Sequence, residues 1–133
     1  MTPDEGERDL SRLLSGLKPR LYSEPYAFEA TADQSLGDAF ALIREDEGLT
    51  VIRPDPEGDW ARISLGVHSS LDAVGLTSAL SGALVKAGIG TNVVAALRHD
   101  HLFVPWSRRE EALRCIEAVG DSWRRMDRSS NGR

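Results

Sequence analysis

Between Trp60 and Gly88 the hydrophobic pattern changes period once, and that change constrains the fold more than any other feature of the chain. In WARISLGVH, Ala61, Ile63, Leu65 and Val67 alternate with Arg62, Ser64, Gly66 and His68, the period of two that marks a strand with one face on a core. From Ser69 the apolar residues fall at helical spacing instead, with Ala73, Leu76, Leu80, Ala83, Leu84 and Ala87 on one side. The string SSLD supplies Ser69 as N-cap and Asp72 as its capping-box partner, and Asp72 also sits at the positive end of the helix dipole. The spacing predicts a helix that begins at Ser69 and stops at Gly88, where a glycine can take the left-handed conformation that closes a helix.

Downstream, Thr91 to Leu97 is dense in Val and Ala and reads as a strand, and His101 to Val104 reads as another. They form a hairpin whose two-residue turn is His99 and Asp100. After Pro105, SRREEALRCIEAVG places Ala112, Leu113, Ile116 and Val119 at helical spacing, with Cys115 beside them as a core thiol; a reactive thiolate needs an exposed electropositive niche. Strand, helix, strand, strand, helix is a ferredoxin-like split β-α-β unit lacking its last strand. Upstream, PYAFEA and LTVIRP (Leu49 to Pro54) read as strands, and SLGDAFALIRE between them as a helix with Leu36, Phe40 and Ile43 inward. The N-terminal half is therefore expected to be a shortened strand-helix-strand unit, joined through the linker DPEGD (Asp55 to Asp59). It packs on the second half, or a partner chain does, because an open sheet edge needs cover.

A length of 133 residues suits one compact domain or two small pseudo-repeats. With 41% apolar and 28% charged residues the chain is not generally disordered, and no run approaches the roughly eighteen apolar residues of a membrane span. The start, MTPDEGERDLSRLL, is acidic and has neither a secretory nor a transit-peptide pattern, and a lone Cys115 excludes an internal disulfide framework. A cytoplasmic protein with no membrane partner is the expectation. Met1 to Asp59 holds 14 acidic against 6 basic residues, and Trp60 to Arg133 holds 7 against 10. The formal net charge of -5 argues against nucleic acid as a partner, since phosphate binding needs a clustered basic face. The basic tail DSWRRMDRSSNGR reads as a flexible, solvated terminus.

The stretch Val67 to Pro105, with its strings VHSSLDAVGLT and HDHLFVP, together with EGLTVIRP at Glu47 to Pro54, resembles the small stand-alone ACT-domain proteins, a branch of the ACT family of regulatory ligand-binding modules. The resemblance implies an α+β fold: a ferredoxin-like (ACT) sheet with helices on one face, preceded by a shortened ACT-like strand-helix-strand unit. The chain then divides into an N-terminal acidic segment (1–16), the shortened ACT-like unit (17–57), the ACT domain (58–120) and the basic flexible tail (121–133). It further implies a small ligand, such as an amino acid, near the first strand-to-helix turn, and assembly through paired ACT units, with a homodimer as the minimum.

Elementary chemistry points to the same turn. Backbone N–H groups at a helix start have no intrahelical acceptor and the dipole favours negative charge, so His68, Ser69, Ser70 and Leu71 are candidates to hold a carboxylate. With Asp72 close by, a zwitterion suits the place better than phosphate. Gly75, Ala79, Gly82 and Ala83 give the helix a stripe of small residues, so either the sheet or another helix packs there, or a ligand's apolar portion lies over Val74, Gly75 and Leu76. Ile89, Gly90, Thr91 and Asn92 are expected to line the same opening, Asn92 offering a donor and an acceptor to an amino-acid head group. In the alternative, Ser69 only caps a helix and Asn92 serves its own backbone.

His99, Asp100 and His101, with His68 as a further imidazole, define an alternative: a metal-dependent hydrolase or lyase built on the hairpin. A metal needs at least three converging donors, and residues at a hairpin tip fan outward. The sequence has no G-x-S-x-G elbow and no phosphate-cradling loop with its Lys, and the run Glu45, Asp46, Glu47 reads as solvated surface. The leading expectation assigns no catalytic residue, metal or cofactor: a sensor or regulatory module that binds an amino acid and acts through ligand-dependent packing of ACT units. A purely structural interaction module, its pocket filled by side chains, is the remaining alternative.

Overall fold

The computed structural model describes residues 6–131, in which six strands form one sheet in the order β2-β3-β1-β4-β6-β5. In chain order the elements are α1 (Leu10–Ser15), β1 (Pro19–Thr31), β2 (Ala41–Glu45), β3 (Gly48–Pro54), β4 (Trp60–Leu65), α2 (Leu76–Lys86), β5 (Asn92–Ala95), β6 (Asp100–Pro105), a 3-10 turn (Trp106–Arg108) and α3 (Arg109–Asn131). β6 pairs antiparallel with both β4 and β5, so β4 and β5 run parallel with β6 between them, the split β-α-β arrangement. The position of the unit's missing last strand is filled by β1, antiparallel to β4 with Leu21 opposite Ile63 and Pro19 opposite Leu65. β3 then pairs with β1, and β2 with β3, so the two halves share one continuous sheet.

The alternation in β4 holds: Ala61, Ile63 and Leu65 are buried beneath the helices with Leu80, Leu84, Leu102, Val104 and Ile116. β3 likewise appears where LTVIRP was read, and α2 closes at Ala87 with Gly88 left-handed at φ 71°. Among the described residues the opposite face carries no helix. It is covered by a second cluster built on Tyr26, Ile52 and Phe103, against which Tyr22, Phe40 and Trp60 pack.

Several expectations are corrected. SLGDAFALIRE is not a helix: Gly37 is left-handed at φ 52°, Ala39 N–H closes a turn on the Leu36 carbonyl (2.9 Å), and Ala41–Glu45 is strand β2. The apolar residues of FALIRE fit a period of two as well as a helix, and β3 offers a ladder, so tertiary pairing decides. Asp46 and Glu47 form the β2–β3 hairpin turn, and the N-terminal unit is a three-stranded meander with no helix between its strands. Within the acidic segment, α1 is capped by Asp9 and buries Leu13 and Leu14; Met1 to Glu5 lie outside the described residues.

The segment read as a flexible tail from Asp121 is helical through Asn131, the last described residue. Gly120 does not stop α3. It lets the helix approach α1, since a Cβ there would lie 3.3 Å from the Leu14 carbonyl oxygen, and Trp123 packs against the core one turn later. Arg124 donates to the Ser15 carbonyl at 2.8 Å, a further anchor for the extension. Among the described residues no helix is long and apolar enough to cross a membrane.

Candidate functional site

After β4 the chain crosses residues 66–75 before α2 begins, and this loop is held from two sides. The Gly66 N–H donates to the Leu17 carbonyl at 2.8 Å and the Lys18 carbonyl at 3.0 Å. On the other side residues 6–9 lie across the loop as a strap. The Glu7 N–H donates to the His68 carbonyl (2.8 Å), the Ser70 N–H donates to the Glu7 carbonyl (2.9 Å), and Glu7 and Ser69 form a parallel bridge. The contact is backbone on backbone, because a Cβ on Gly6 would lie 2.3 Å from the Ser69 carbonyl carbon. Arg8 donates to Asp72 at 2.8 Å, and this bond, followed by that from the Ser70 hydroxyl, holds the Asp72 carboxyl below the usual carboxylate range.

Those tertiary bonds displace the expected capping box. Ser69 and Asp72 precede the helix, and α2 begins at Leu76 after Gly75, which stands at φ 99° and supplies no side-chain cap. The first ladder bond runs from the Ala79 N–H to the Gly75 carbonyl (2.9 Å), so the N–H groups of Leu76, Thr77 and Ser78 have no intrahelical acceptor. Beside this uncapped start, Ser69, Ser70, Thr77 and Asp100 surround a cavity of about 90 Å³ whose apolar walls are Leu71, Ala73, Leu76 and Ala95. One water needs roughly 10–15 Å³ of such space, so the cavity suits several waters or a small polar head group. Ser69 is buried, and its hydroxyl donates to Asp100 Oδ2 at 2.9 Å, which fixes the carboxylate at the cavity wall. Acceptor-only oxygens on one side and N–H groups without an intrahelical acceptor at a positive dipole end on the other complement a zwitterion.

Of the residues singled out from the sequence, Ser69, Ser70, Leu71 and Leu76 line this cavity, and Gly75 makes the turn into α2. His68 turns its ring toward His99, 6.3 Å between centroids, and its buried Nε2 has no hydrogen-bond partner among the described residues. Val74 is 82% exposed. Ile89, Gly90, Thr91 and Asn92 are elsewhere: Ile89 belongs to the core, and Asn92 opens β5 opposite Phe103. The reason is the parallel crossover. An α2 of 11 residues is roughly 16 Å long, so the loop after the helix emerges at the opposite end of the sheet from the loop before it. The site is completed instead by Thr77, Ala95 and Asp100. The cue for them was topological, since an antiparallel β6 between β4 and β5 begins where those two strands end.

The hairpin histidines separate. The turn spans Ala96 to His99, and Asp100 already pairs with Ala95 in the ladder, so the two-residue turn at His99 and Asp100 is corrected. His99 Nδ1 lies 3.3 Å from the Val67 carbonyl oxygen. His101 faces the helix-free side, where its Nδ1 accepts from Arg62 Nε at 3.3 Å. Burial first, then the Arg62 charge and His99, push His101 down to about 4, so it is neutral near pH 7. Among the described residues no three His, Cys, Asp or Glu side chains stand together as a group that could hold a metal ion. Of the small-residue stripe, Ala79, Gly82 and Ala83 face Cys115, Ala118 and Val119 across a groove of about 580 Å³ between α2 and α3, away from the cavity.

Comparisons with known proteins bear on the family and the fold. One family model for the ACT domain matches residues 5–66, and a second ACT-domain model matches residues 56–118. Comparison with curated proteins gives no match. Among solved structures, a Vibrio cholerae protein of unknown function, described as a possible transport protein, is 33% identical and superposes with a TM-score of 0.70 over 84% of this chain and 95% of its own. An Agrobacterium tumefaciens protein is 21% identical, with a TM-score of 0.60 over 78% of this chain and 89% of its own. The ligand-free regulatory subunit of aspartate kinase from Thermus thermophilus is 11% identical and has the same fold, with a TM-score of 0.58 over 78% of this chain and 97% of its own.

Proposed function

This chain belongs to the ACT-domain family, and from that membership we propose that it is a non-catalytic regulatory module that binds an amino acid in the cavity at the end of β4. The observation that carries the reading is the Asp100 carboxylate, held by Ser69 across a cavity of about 90 Å³ from the uncapped start of α2. In the bound state the ligand ammonium pairs with Asp100. Its carboxylate takes the free N–H groups of Leu76, Thr77 and Ser78 and the Thr77 hydroxyl, and its side chain leaves past Leu71 and Ala73. A ligand seated there loads the loop between β4 and α2 and, through Ser70 and Glu7, the strap. The regulatory role of the structurally similar aspartate kinase subunit supports the same reading. A cytoplasmic location agrees with the single unpaired Cys115.

Output is proposed to pass through assembly as a homodimer. Since β1 closes the edge beside β4, the strands left for pairing with a second copy are β2 and β5 at the two ends of the sheet. The test is a thermal-shift screen against the twenty amino acids, followed by calorimetric titration. At least one amino acid should stabilise the fold, and Asp100→Asn should weaken it by about ten-fold or more, the scale of a lost charge-assisted hydrogen bond. Asn92→Ala, at the far end of the sheet, should leave the affinity unchanged. No stabilisation by any of the twenty would refute the amino-acid reading, and a monomer by sedimentation with and without ligand would refute the dimer.

A further inference from the structure

On the helix-free face the Arg62 cation has no ion-pair partner among the described residues. The Arg62 guanidinium lies 3.9 Å from the Tyr22 ring centroid and 4.4 Å from that of Phe40. Its Nε donates to His101 Nδ1 at 3.3 Å and a terminal nitrogen donates to the Tyr26 hydroxyl at 3.1 Å. A guanidinium carries five N–H donors, so three remain without an acceptor among the described residues. Arg20, on the neighbouring strand, lies 4.3 Å from the same Tyr22 ring. Among the described residues neither Arg20 nor Arg62 forms an ion pair. The carboxylate of Glu24 reaches Arg62 only through the Tyr26 hydroxyl, from which it stands 3.5 Å.

Two guanidinium groups thus share one ring in a chain whose formal charge is -5, although acidic partners are plentiful in that chain. Their field is felt locally: the Tyr22 hydroxyl is lowered from its ordinary pKa, first by the bond from buried Ser64 and then by Arg62 and Arg20. The stacked rings also fix the guanidinium plane, so little side-chain freedom is lost when its open donors bind. Apolar surface flanks the cations, since Phe40 covers Phe103 at 5.5 Å and Phe28, 37% exposed, continues the cluster.

We propose that this face carries a second binding site, for an organic carboxylate with an apolar or aromatic body, its carboxylate on the open donors of Arg62 and Arg20 and its body against Tyr22 and Phe40. Bidentate guanidinium–carboxylate geometry supplies the orientation, and the rings select against small hydrophilic acids. The site lies on the other side of the sheet from α2 and is independent of the cavity that holds Asp100.

The full chain, labelled with 15N, is titrated with sodium benzoate, acetate and the neutral isostere benzamide while the Arg62 Nε–H resonance is followed. Benzoate should shift it saturably, bind about ten-fold more tightly than acetate, and do so unchanged in Asp100→Asn, while benzamide should leave it in place. Arg62→Gln should abolish benzoate binding. Arg20→Gln should weaken it several-fold with the amide spectrum intact, and that variant alone decides the matter if Arg62→Gln does not fold. An unmoved Arg62 resonance, an equal response to benzamide, or benzoate no better than acetate would each overturn the proposal. So would sedimentation showing that two copies bury this face and come apart in Arg20→Gln.

Discussion

The two faces of the sheet solve the same problem with different chemistry. Under the helices, Ile63, Leu65, Leu84, Leu102 and Val104 are buried aliphatics with no polar atom to satisfy. On the helix-free side, rings meet edge to face, with Tyr26 and Phe103 at 5.6 Å and Phe40 and Phe103 at 5.5 Å, and Arg62 and His101 sit among them. A face with a helix layer above it can be kept dry by shape-filling alone. A face without one must cover itself, and broad aromatic side chains do so while tolerating a half-buried cation. Methylene deletion should therefore be felt far more on the first face. Leu84→Ala should cost about 3–5 kcal/mol in urea denaturation, whereas Phe40→Ala, where solvent can enter, should cost about 1–2 kcal/mol. Equal losses would make the aromatic face a second core and end the contrast.

Acid tests the two faces differently as well. His101 falls from its ordinary 6.5 to about 4, chiefly through burial. Between those values the unfolded chain binds the proton and the folded chain does not, so stability rises with pH across that window and gains nothing further from this group above it. The loss on acidification to about pH 4 should be on the order of 2–3 kcal/mol. Denaturation midpoints measured from pH 4 to 7.5 should show the slope in the native chain and not in His101→Gln. A slope that survives the substitution would assign acid sensitivity to the other face or to the surface carboxylates.

What could be read from the sequence divides along the same physical line. Ala61, Ile63 and Leu65 announce a strand because burial on one face imposes a period of two on neighbouring residues, and the same local logic finds β3 and the end of α2. Ser69 and Asp72 mislead because their side chains answer to distant residues, Ser69 to Asp100 and Asp72 to Arg8. Both satisfy a capping-box spacing while doing other work. Gly120 resembles a helix stop, but its missing side chain serves the approach of α1. Four of the expected ligand residues, Ser69, Ser70, Leu71 and Leu76, line the cavity, because a strand-to-helix turn is local. Asn92 lies at the other end of the sheet and Asp100, read as a turn residue, lines the cavity, because their positions follow from strand order. Arg62 stood in the pattern only as a polar alternate, since its aromatic neighbours Tyr22 and Phe40 come from another strand and a loop.

The smallest expected effect concerns the strap, which closes the helix side of the molecule with backbone where the other side uses rings. A Cβ at residue 6 would lie 2.3 Å from the Ser69 carbonyl carbon and 2.5 Å from Ser70 N, so Gly6→Ala cannot keep the strap seated. Its release breaks the bonds between Glu7 and the His68 carbonyl and between Ser70 N–H and the Glu7 carbonyl. Each freed group gains water in exchange, and the exposed Arg8–Asp72 pair adds little, so the cost should be about 1 kcal/mol. Hydrogen exchange separates this local opening from global loss: the Ser70 amide should lose protection while the amides of β4 and β6 keep theirs. If those strands lose protection together with Ser70, the strap is a part of the helix-side core, and the line drawn between backbone closure at the loop and aliphatic packing beneath it does not exist.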